Sequence, residues 1–488
     1  MRKTILLIVF LIVCTRAFAV YDVNENCKNA WMLMMDLRID EAKQLLAREI
    51  KTNPSNYYAY YLEQTCDGYG LLINSDKADF ERFEGNYEKK RDIMDDHDVD
   101  SPYYLSCAAE MELQVCFFGV IHGSQWSAFS KGYSAYKSTY RNLSKFPDFE
   151  PSRKLDGFFN VALANMPSFI KWLIDFFGVS SDIDYGFRVL NEDYLSQKQV
   201  RGLNAEAALF IILAAHINRT PEKAYEFSKS LDPSISKAYI FQYFKANLAY
   251  RTGRNEEALS GLKQIVDRPG PYAELTYNYL MGKILLRKLD PGARKFIQYY
   301  LENSRKMEYK REMNYNLALS HLISGDRDKY REYCKTVLNT GTDINEQDNE
   351  AKYDAKLDYP PDVNLVKARL QLNGGYNAGF LICIQQYLAN NDGSFVHNLE
   401  YEFLQARYDA SQSNIQAAIR GFEKVIETGK DKDYYFASEA ALRLGDIYRE
   451  KGQVEQARKS YEVCLKLVES DYYEYISNKA NKGLTSLD

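Results

Sequence analysis

Hydrophobic residues along this 488-residue chain recur mostly at the three- and four-residue spacing of helices. No sustained alternation of period two, the mark of strands, accompanies that spacing. Many of the 40 tyrosines occupy apolar positions, where a large ring with a polar tip suits partly hydrated helix packing. Glycine and proline are few, at 26 and 12, so little interrupts the pattern. The sequence therefore predicts an all-α fold with a large ordered core.

A 34-residue unit stands out near the C-terminal end, from Ser438 to about Asp471. Its positions 7, 8, 11, 15, 20, 24 and 27 hold, in order, Leu444, Gly445, Tyr448, Gly452, Ala457, Tyr461 and Cys464. Small side chains at positions 8 and 20 let two antiparallel helices approach closely, while large ones fill the space between them. Gly452 permits the tight turn between the helices. The unit predicts a helical hairpin that stacks on others of its kind.

Weaker copies of the same register occur upstream, in residues 239–272, 311–344 and 399–432. Their small, turn and large positions are held by Ala246, Gly253, Ala258, Leu262, Ile265, Ala318, Gly325, Val337, Ala406, Ala418, Phe422 and Val425. With shorter helix pairs elsewhere, the chain holds about seven to nine pairs. In this register the chain resembles tetratricopeptide-repeat (TPR) proteins. The resemblance implies a TPR-like α-solenoid, in which antiparallel helix pairs stack into a superhelix.

The middle of the chain departs from the 34-residue spacing and carries a different motif. The residues of that motif are Gly157, Phe159, Asn160, Leu163, Pro167, Lys171, Leu173 and Gly178. They match the G-x-F-N-x-x-L, L-P and K-x-L arrangement of the tetratricopeptide-repeat 39 family of eukaryotic adaptor-like proteins, except that Phe177-Gly178 replaces that family's Gly-Phe pair. This region resembles that family over about seventy residues. The resemblance implies a repeat scaffold and no chemistry.

Six segments are predicted along the chain from these patterns. They are a signal peptide at 1–19, N-terminal TPR-like helices at 20–118, an irregular helical segment at 119–200, central TPR-like repeats at 201–340, a polar linker at 341–361 and C-terminal TPR repeats at 362–488. The linker is predicted from its polar composition and from Pro360-Pro361 at its end, which together favour an exposed connection.

The first residues have the features of a secretory signal peptide. Arg2 and Lys3 form a basic start, an apolar stretch covers residues 5–13, and Ala17-Phe18-Ala19 offers a small-x-small cleavage site. The apolar stretch is too short to span a bilayer, so we expect no transmembrane helix in a mature chain that begins near Val20. The predicted location is the periplasm or the outer membrane of a bacterial envelope. That location departs from the intracellular relatives, so their biological roles are not carried over.

The net charge of the chain argues against nucleic acid as a partner. Without Arg2, Lys3 and Arg16, the chain has 59 basic and 67 acidic side chains, a net charge of −8, and no run of five basic residues. We therefore expect no nucleic-acid partner.

The seven cysteines left after cleavage are scattered and odd in number, which does not indicate a disulfide framework. Whether Cys27 pairs with Cys66, or Cys107 with Cys116, stays open from spacing alone.

Motifs for catalysis or cofactor binding are not evident. The five histidines do not stand at the close spacing that zinc ligands need. The sequence has no G-x-S-x-G elbow, and its glycine pairs lack the strand and the spacing of a phosphate-binding loop. The sequence thus predicts no enzyme, no cofactor and no metal site.

The predicted binding surface is the inner wall of the solenoid, lined by the first helix of each pair at positions 2, 5, 9 and 12. Its candidate residues are Tyr243, Asn247, Tyr250, Tyr315, Phe403, Arg407, Asp446 and Arg449. Aromatic, amide and charged groups mix there, which suits a protein or peptide partner. The alternative interpretation is that Tyr243 and Tyr315 only seal neighbouring repeats.

Three functional hypotheses follow. The first is a non-catalytic exported scaffold that holds envelope proteins on its concave face. The second is an enzyme, or an accessory to an envelope enzyme, built in residues 119–190. The third is a peripheral membrane protein that uses the apolar helix predicted over residues 169–177, whose Phe169, Trp172, Leu173 and Phe176 share one face.

Overall fold

The computed structural model describes residues 21–95, 99–165, 181–197, 201–265, 270–357, 359–468 and 474–487. Within these ranges the chain is helical and has no strand, which confirms the predicted all-α fold. It divides into two compact units, residues 1–245 with 265–276 and residues 246–264 with 277–488.

The first ten described helices belong to the first unit. They are α1 (Glu25–Met35), α2 (Ile39–Thr52), α3 (Tyr57–Ile73), α4 (Lys77–Asp95), α5 (Pro102–Ile121), α6 (Gln125–Lys145), α7 (Glu150–Ala164), α8 (Ile183–Ser196), α9 (Arg201–Ile217) and α10 (Pro221–Lys229). Consecutive helices pack as pairs, and α1, α3, α5, α7 and α9 also contact one another in that order. Because α9 packs against α1, these five helices form a closed ring. At that contact, a Cβ on Gly202 would lie 3.3 Å from the Cβ of Trp31.

The remaining helices belong wholly or partly to the second unit. They are α11 (Tyr239–Arg251), α12 (Asn255–Gln264), α13 (Pro271–Arg287), α14 (Ala293–Asn303), α15 (Lys310–Leu322), α16 (Arg327–Asn339), α17 (Glu346–Lys356), α18 (Val363–Asn373), α19 (Asn377–Ala389), α20 (Phe395–Ser411), α21 (Ile415–Gly429), α22 (Phe436–Glu450), α23 (Val454–Leu467) and α24 (Glu474–Thr485). Helices α18, α20, α22 and α24 contact one another in succession, and α19, α21 and α23 are their paired second helices. This is the arrangement that the repeat register predicts.

Small residues at the predicted positions bring paired helices together. A Cβ on Gly445 of α22 would lie 2.4 Å from the ring of Tyr461 in α23, and Tyr461 is fully buried. Ala406 and Ala418 play the same part between α20 and α21, and both are buried. The turn that follows α22 has Gly452 at a φ of +70°, a left-handed conformation that favours glycine. The sequence therefore identified the close contacts of these repeats correctly.

The segment predicted as irregular, residues 119–200, contains regular paired helices where the structure describes it. The predicted boundary at residue 119 falls inside α5, since Gly119 packs against Ala128 of α6 and the turn comes at residues 122–124. Gly157 of α7 packs directly against Gly186 of α8. Residues 166–180, including the apolar helix predicted at 169–177, lie outside the described residues.

The segment predicted as an exposed polar linker, residues 341–361, differs from the prediction. It contains α17, in which Asp348 and Ala351 are buried. Asn345 caps this helix by accepting a hydrogen bond from the backbone N–H of Asp348 at 2.7 Å. The polar composition that suggested a connection belongs to a helix packed against α15 and α16.

Helix α5 is long and apolar enough to cross a bilayer by length and composition, and among the described residues no other helix meets both criteria. Two-thirds of its apolar window is buried inside the first unit, where α5 packs against α3, α4, α6 and α7. It also carries Glu110 and Glu112, both buried. These contacts make α5 a core helix of the ring.

The seven described cysteines are all free thiols.

The contact between α7 and α8 predicts the effect of adding one methyl group. A Cβ on Gly186 would lie 2.6 Å from the carbonyl oxygen of Gly157, which is backbone and cannot rotate away. We expect Gly186→Ala to destabilise the chain by about 1–3 kcal/mol in urea unfolding followed by circular dichroism. Gly85→Ala is the control, because Gly85 lies within α4 and has nothing within 4 Å of its Cβ position. It should be neutral or stabilise by up to about 1 kcal/mol. Equal effects of the two changes would contradict this account.

Candidate functional site

The candidate residues of the inner wall differ in how far they are exposed. Tyr315 and Phe403 are 7% and 3% exposed, so they fill space between helices and present no surface. Tyr250 is buried as well, since the guanidinium of Arg287 lies 3.5 Å from its ring centroid. Tyr243 is half-buried and stacks on Tyr239, with ring centroids 6.3 Å apart. For Tyr315 in particular, the structure agrees with the alternative interpretation of a residue that seals its neighbours.

The polar candidates remain partly accessible. Asn247, Arg407, Asp446 and Arg449 are all half-buried. Asp446 accepts a hydrogen bond from the hydroxyl of Tyr461 at 2.8 Å and pairs with Arg449 at 3.1 Å. These contacts give Asp446 a structural task within the last repeat. Arg407 is the candidate whose charge is least satisfied.

Two guanidinium groups lie close together on α20 and α22. The guanidinium carbons of Arg407 and Arg443 lie 5.8 and 5.9 Å from the ring centroid of Phe403, so both contact the same aromatic side chain. Arg443 pairs with Glu439 at 2.7 Å. Arg407 has no carboxylate partner among the described residues, and its Nη2 donates only to the Oδ1 of Asn373 at 2.7 Å. The pair therefore carries an excess of positive charge.

Electrostatics of this arginine pair reflect the excess. Burial, followed by repulsion from Arg443, lowers the pKa of Arg407 to about 9. The pKa of Glu439 is held below its ordinary value, because Arg443, Lys479 and Arg407 together outweigh the opposing effect of burial. The Nε of Arg443 and the Oε2 of Glu439 are buried and have no hydrogen-bond partner among the described residues. Glu439 thus interacts with several cations, and no described carboxylate lies within ion-pair distance of Arg407.

Next to this arginine pair, α17 and the residues after it lie along the inner face of α18, α20, α22 and α24. We refer to that face as the inner groove. The N-terminal anchor of α17 is Asp348, whose carboxylate accepts from the backbone N–H groups of Tyr309 and Glu312, each at 2.8 Å. These donors open α15, so Asp348 also satisfies N–H groups that have no partner within that helix.

The C-terminal half of α17 contacts the inner groove directly. Asp354 pairs with Arg369 of α18 at 3.4 Å, and both side chains are less than one-fifth exposed. The ring of Tyr353 meets that of Tyr435 edge to face at 5.8 Å. Tyr353 also packs on the apolar cluster that includes Leu442 of α22 and Ile476 of α24. One ion pair, one aromatic pair and the apolar cluster therefore hold α17 against α18, α22 and α24.

The chain after α17 continues along the same face. Tyr359 meets His397 and Tyr434 edge to face, with centroids 6.0 and 5.6 Å apart. The carbonyl oxygen of Pro360 lies 3.0 Å from Nε2 of His397. A cavity of only about 10 Å³ is left between this segment and the groove wall. The inner groove is thus occupied by the chain's own residues 346–357 and 359–361, apart from the arginine pair.

The first unit has a different inner surface, because its ring of first helices is closed. Lys154 of α7 lies at the centre, with its Nζ 2.8 Å from Glu110 of α5 and 2.8 Å from Glu206 of α9. The hydroxyl of Tyr61 on α3 donates to the same two carboxylates, at 2.5 and 3.0 Å. All four side chains are buried. We call them the ring cluster.

The electrostatics of the ring cluster favour a neutral, protonated carboxyl group at Glu110. Burial and the charge of Glu206 raise the pKa of Glu110 despite the opposing effect of Lys154. Burial also raises the pKa of neighbouring Asp193 to about 7. Burial opposes the charge on Lys154, but Glu110 and Glu206 outweigh it and raise the pKa of that ammonium group. Lys154 is therefore charged, while the raised pKa of Glu110 favours a proton on that carboxyl group.

None of these features was visible as a motif. Glu110, Lys154 and Glu206 stand far apart in sequence, and each looks like an ordinary charge in a helix. The only signal in the sequence is that each interrupts an otherwise apolar helix face, as Glu206 does within the run of alanines and leucines in α9. Within the described residues, no group of three or more His, Cys, Asp or Glu side chains is arranged to hold a metal ion.

Comparison with known proteins agrees with the repeat architecture. The tetratricopeptide-repeat family TPR_8 matches residues 438–470. No curated protein sequence matches the chain. The helix pairs, their small-residue contacts and this match define the class as an α-solenoid of helical hairpins. The family match covers one repeat, and the fold of the described helices is of the tetratricopeptide-repeat type. The finer resemblance to the tetratricopeptide-repeat 39 family stays a prediction.

Three solved structures are similar to the chain at low sequence identity. A monomeric IFIT1 variant with m7Gppp-AAAA is 14% identical, with a TM-score of 0.30, covering 90% of this chain and 80% of that one. The human IFIT1 dimer with PPP-AAAA is 16% identical, with a TM-score of 0.28, covering 90% and 82%. The APC/C hetero-tetramer Cut9-Hcn1 is 12% identical, with a TM-score of 0.24, covering 95% and 92%. At these TM-scores, no property passes from them to this chain.

Removing the central cation of the ring cluster should destabilise the chain strongly. Lys154→Met leaves two buried carboxylates without their partner, which we expect to cost about 3–5 kcal/mol in urea unfolding. Arg153→Met is the matched control, because Arg153 is the preceding residue and pairs with Glu192 at 2.7 Å in solvent. That control should cost less than about 1 kcal/mol. Similar losses for both variants would show that the ring cluster contributes no more than a surface ion pair.

Protonation of the ring cluster should make stability depend on pH. Because the folded pKa of Glu110 lies above its unfolded value, the folded chain binds the proton more tightly, and this stabilisation is lost as pH rises through neutrality. Glu110→Gln carries no charge at either pH. Its stability relative to the native chain should therefore rise by about 1–3 kcal/mol between pH 5.5 and 8. Urea unfolding at both pH values measures the difference, and a difference that does not change with pH would contradict the assignment.

Proposed function

We propose that this chain is a non-catalytic, exported scaffold that binds a protein partner through the inner groove of its second unit, at the arginine pair Arg407 and Arg443. The partner supplies an acidic segment. The basic start, short apolar stretch and Ala17-Phe18-Ala19 site at the N-terminus support export to a bacterial envelope, in the periplasm or at the outer membrane. The tetratricopeptide-repeat fold supports a role in protein interaction.

A single observation carries the proposal: Arg407 lies in the groove with no carboxylate partner among the described residues. A half-buried guanidinium group that lies beside a second guanidinium is less favourable in the free protein than one paired with a carboxylate. A carboxylate from a partner would offset that cost and could accept two parallel hydrogen bonds from the arginine. The site therefore gains most from an acidic ligand and gains little from a neutral one.

Specific features also favour a polypeptide as the ligand. Phe403 supplies an aromatic surface beneath both arginines, and Asn373 supplies an amide, which is the mixture of groups that recognises peptide segments. The residues along the same groove already hold a helix of the chain itself, so its width suits a helical segment. The chain has no basic run of five or more residues that would favour a polyanion such as nucleic acid.

The test is affinity purification of the tagged chain from envelope extract after brief crosslinking, in native form and as Arg407→Gln. Glutamine keeps a donor for Asn373 but removes the charge, so we expect recovery of the partner to fall at least about tenfold. Arg420→Gln is the control, since Arg420 is exposed on α21, and it should retain the partner. Matching circular dichroism melts exclude misfolding. Equal recovery by Arg407→Gln would contradict the site, and a chain found only in the cytoplasm would contradict export.

A further inference from the structure

We infer that α17 is a built-in, displaceable occupant of the inner groove, and that the partner is an acidic helix bearing an aromatic residue, which replaces α17. This inference rests on the proposed function and specifies the ligand of the same groove. It makes the groove available only when α17 leaves or when a competing helix takes its place.

The composition of α17 supports displacement over permanent packing. Its sequence, EQDNEAKYDAK, buries one apolar side chain, Ala351, and the buried Asp348 is polar. Tyr353 and Leu357 are only half-buried. A helix fixed as core of a repeat buries several large side chains, as α20 does with Leu399, Phe403 and Leu404. Little apolar area therefore holds α17 in place, and polar contacts hold most of the remainder.

Those polar contacts are of a kind that a second chain can reproduce. Asp354 with Arg369 is one carboxylate on one guanidinium, and Tyr353 against Tyr435 is one aromatic pair. A partner helix with an acid and an aromatic residue in adjacent positions would reproduce both contacts. Exchange of equal contacts leaves little difference in free energy, so a further contact decides which helix stays.

The arginine pair provides that further contact. Arg407 donates to Asn373 at 2.7 Å, and Asn373 lies one helical turn after Arg369 on α18, so the site filled by Asp354 and the unfilled site adjoin. Arg407 is left without a carboxylate while α17 is bound. A competing helix that offers acids to both Arg369 and Arg407 gains an ion pair that α17 lacks. The groove thus selects a more acidic helix than its own.

The neighbouring anchors show where α17 would separate. Arg311 donates to the carbonyl oxygen of Thr342 at 2.7 Å and pairs with Asp343 at 2.8 Å, which fixes the chain before α17. Tyr359 and Pro360 fix the chain after it through His397. Both anchors can stay in place while the residues between them move, and that movement also releases Asp348 from the backbone N–H groups of Tyr309 and Glu312. The movable part is therefore residues 344–357.

The first test uses a synthetic peptide of residues 343–357 with a fluorescent label, and measures its anisotropy on titration with the full chain. A chain variant in which a Gly/Ser linker of equal length replaces residues 344–357 should bind the peptide at least about tenfold more tightly than the native chain. The peptide with Asp354→Asn should lose most of that binding, because it cannot pair with Arg369. Equal binding by native and linker chains, or none by either, would overturn the inference.

The second test uses the native chain, so that a linker variant that fails to fold cannot decide the matter. Hydrogen exchange by mass spectrometry should show the amides of α17 exchanging at least about tenfold faster than those of α20 and α22. Added peptide 343–357 should increase α17 exchange further. Exchange of α17 only at the rate of α20 would show that it opens with the whole unit, which would overturn the inference.

The two proposals can fail separately. Loss of the partner in Arg407→Gln tests the groove, and this variant should still show fast exchange in α17, because Arg407 does not contact that helix by any hydrogen bond or ion pair among the described residues. A chain whose α17 exchanges fast but whose partner ignores Arg407→Gln would keep this inference and lose the proposed site.

Discussion

Close contact between the two helices of each pair is the constraint on which the other features depend. Where Gly445 faces Tyr461, or Gly157 faces Gly186, the absence of a side chain lets one helix rest directly on another. First helices then stack side by side at a regular spacing, and side chains far apart in sequence reach a common inner surface. That surface is where the chain places its unusual charges. Packing therefore decides which polar groups meet.

Each unit solves the problem of its inner surface in its own way. In the first unit the ring closes, so Lys154 pairs with the buried Glu110 and Glu206, and Tyr61 adds hydrogen bonds to both carboxylates. In the second unit a polar helix fills the groove and leaves a cavity of only about 10 Å³. The ring cluster satisfies its charges internally. The groove does not, because Arg407 keeps an unmet charge, and this difference favours the groove as the binding site.

The sequence predicted the C-terminal repeats because their helices fit a 34-residue period, with small residues where backbones touch. It could not predict the pairing of α5 with α6, which are 20 and 21 residues long and together exceed that period. Nor could it predict α17, whose polar residues contact a groove that exists only after α18 to α24 have stacked. Of the candidate site residues, Arg407 was identified by its helical position. Arg443 and Arg369 were missed because they lie outside the positions assigned to the inner wall.

The polar character of α17 bears on why the groove is not simply an apolar core. An apolar helix in the groove would stay bound, since each large buried side chain contributes about 1.5–3 kcal/mol. Its release would expose those side chains to water and lose that free energy. An acidic helix is held by contacts whose strength depends on charge, and charge is what a partner can supply in greater amount. A partner can then pair a carboxylate with the guanidinium of Arg407, which has no ion pair with α17. While α17 is bound, it covers the groove but leaves Arg407 without an ion pair. A partner helix that supplies this ion pair would therefore bind the groove more favourably than α17.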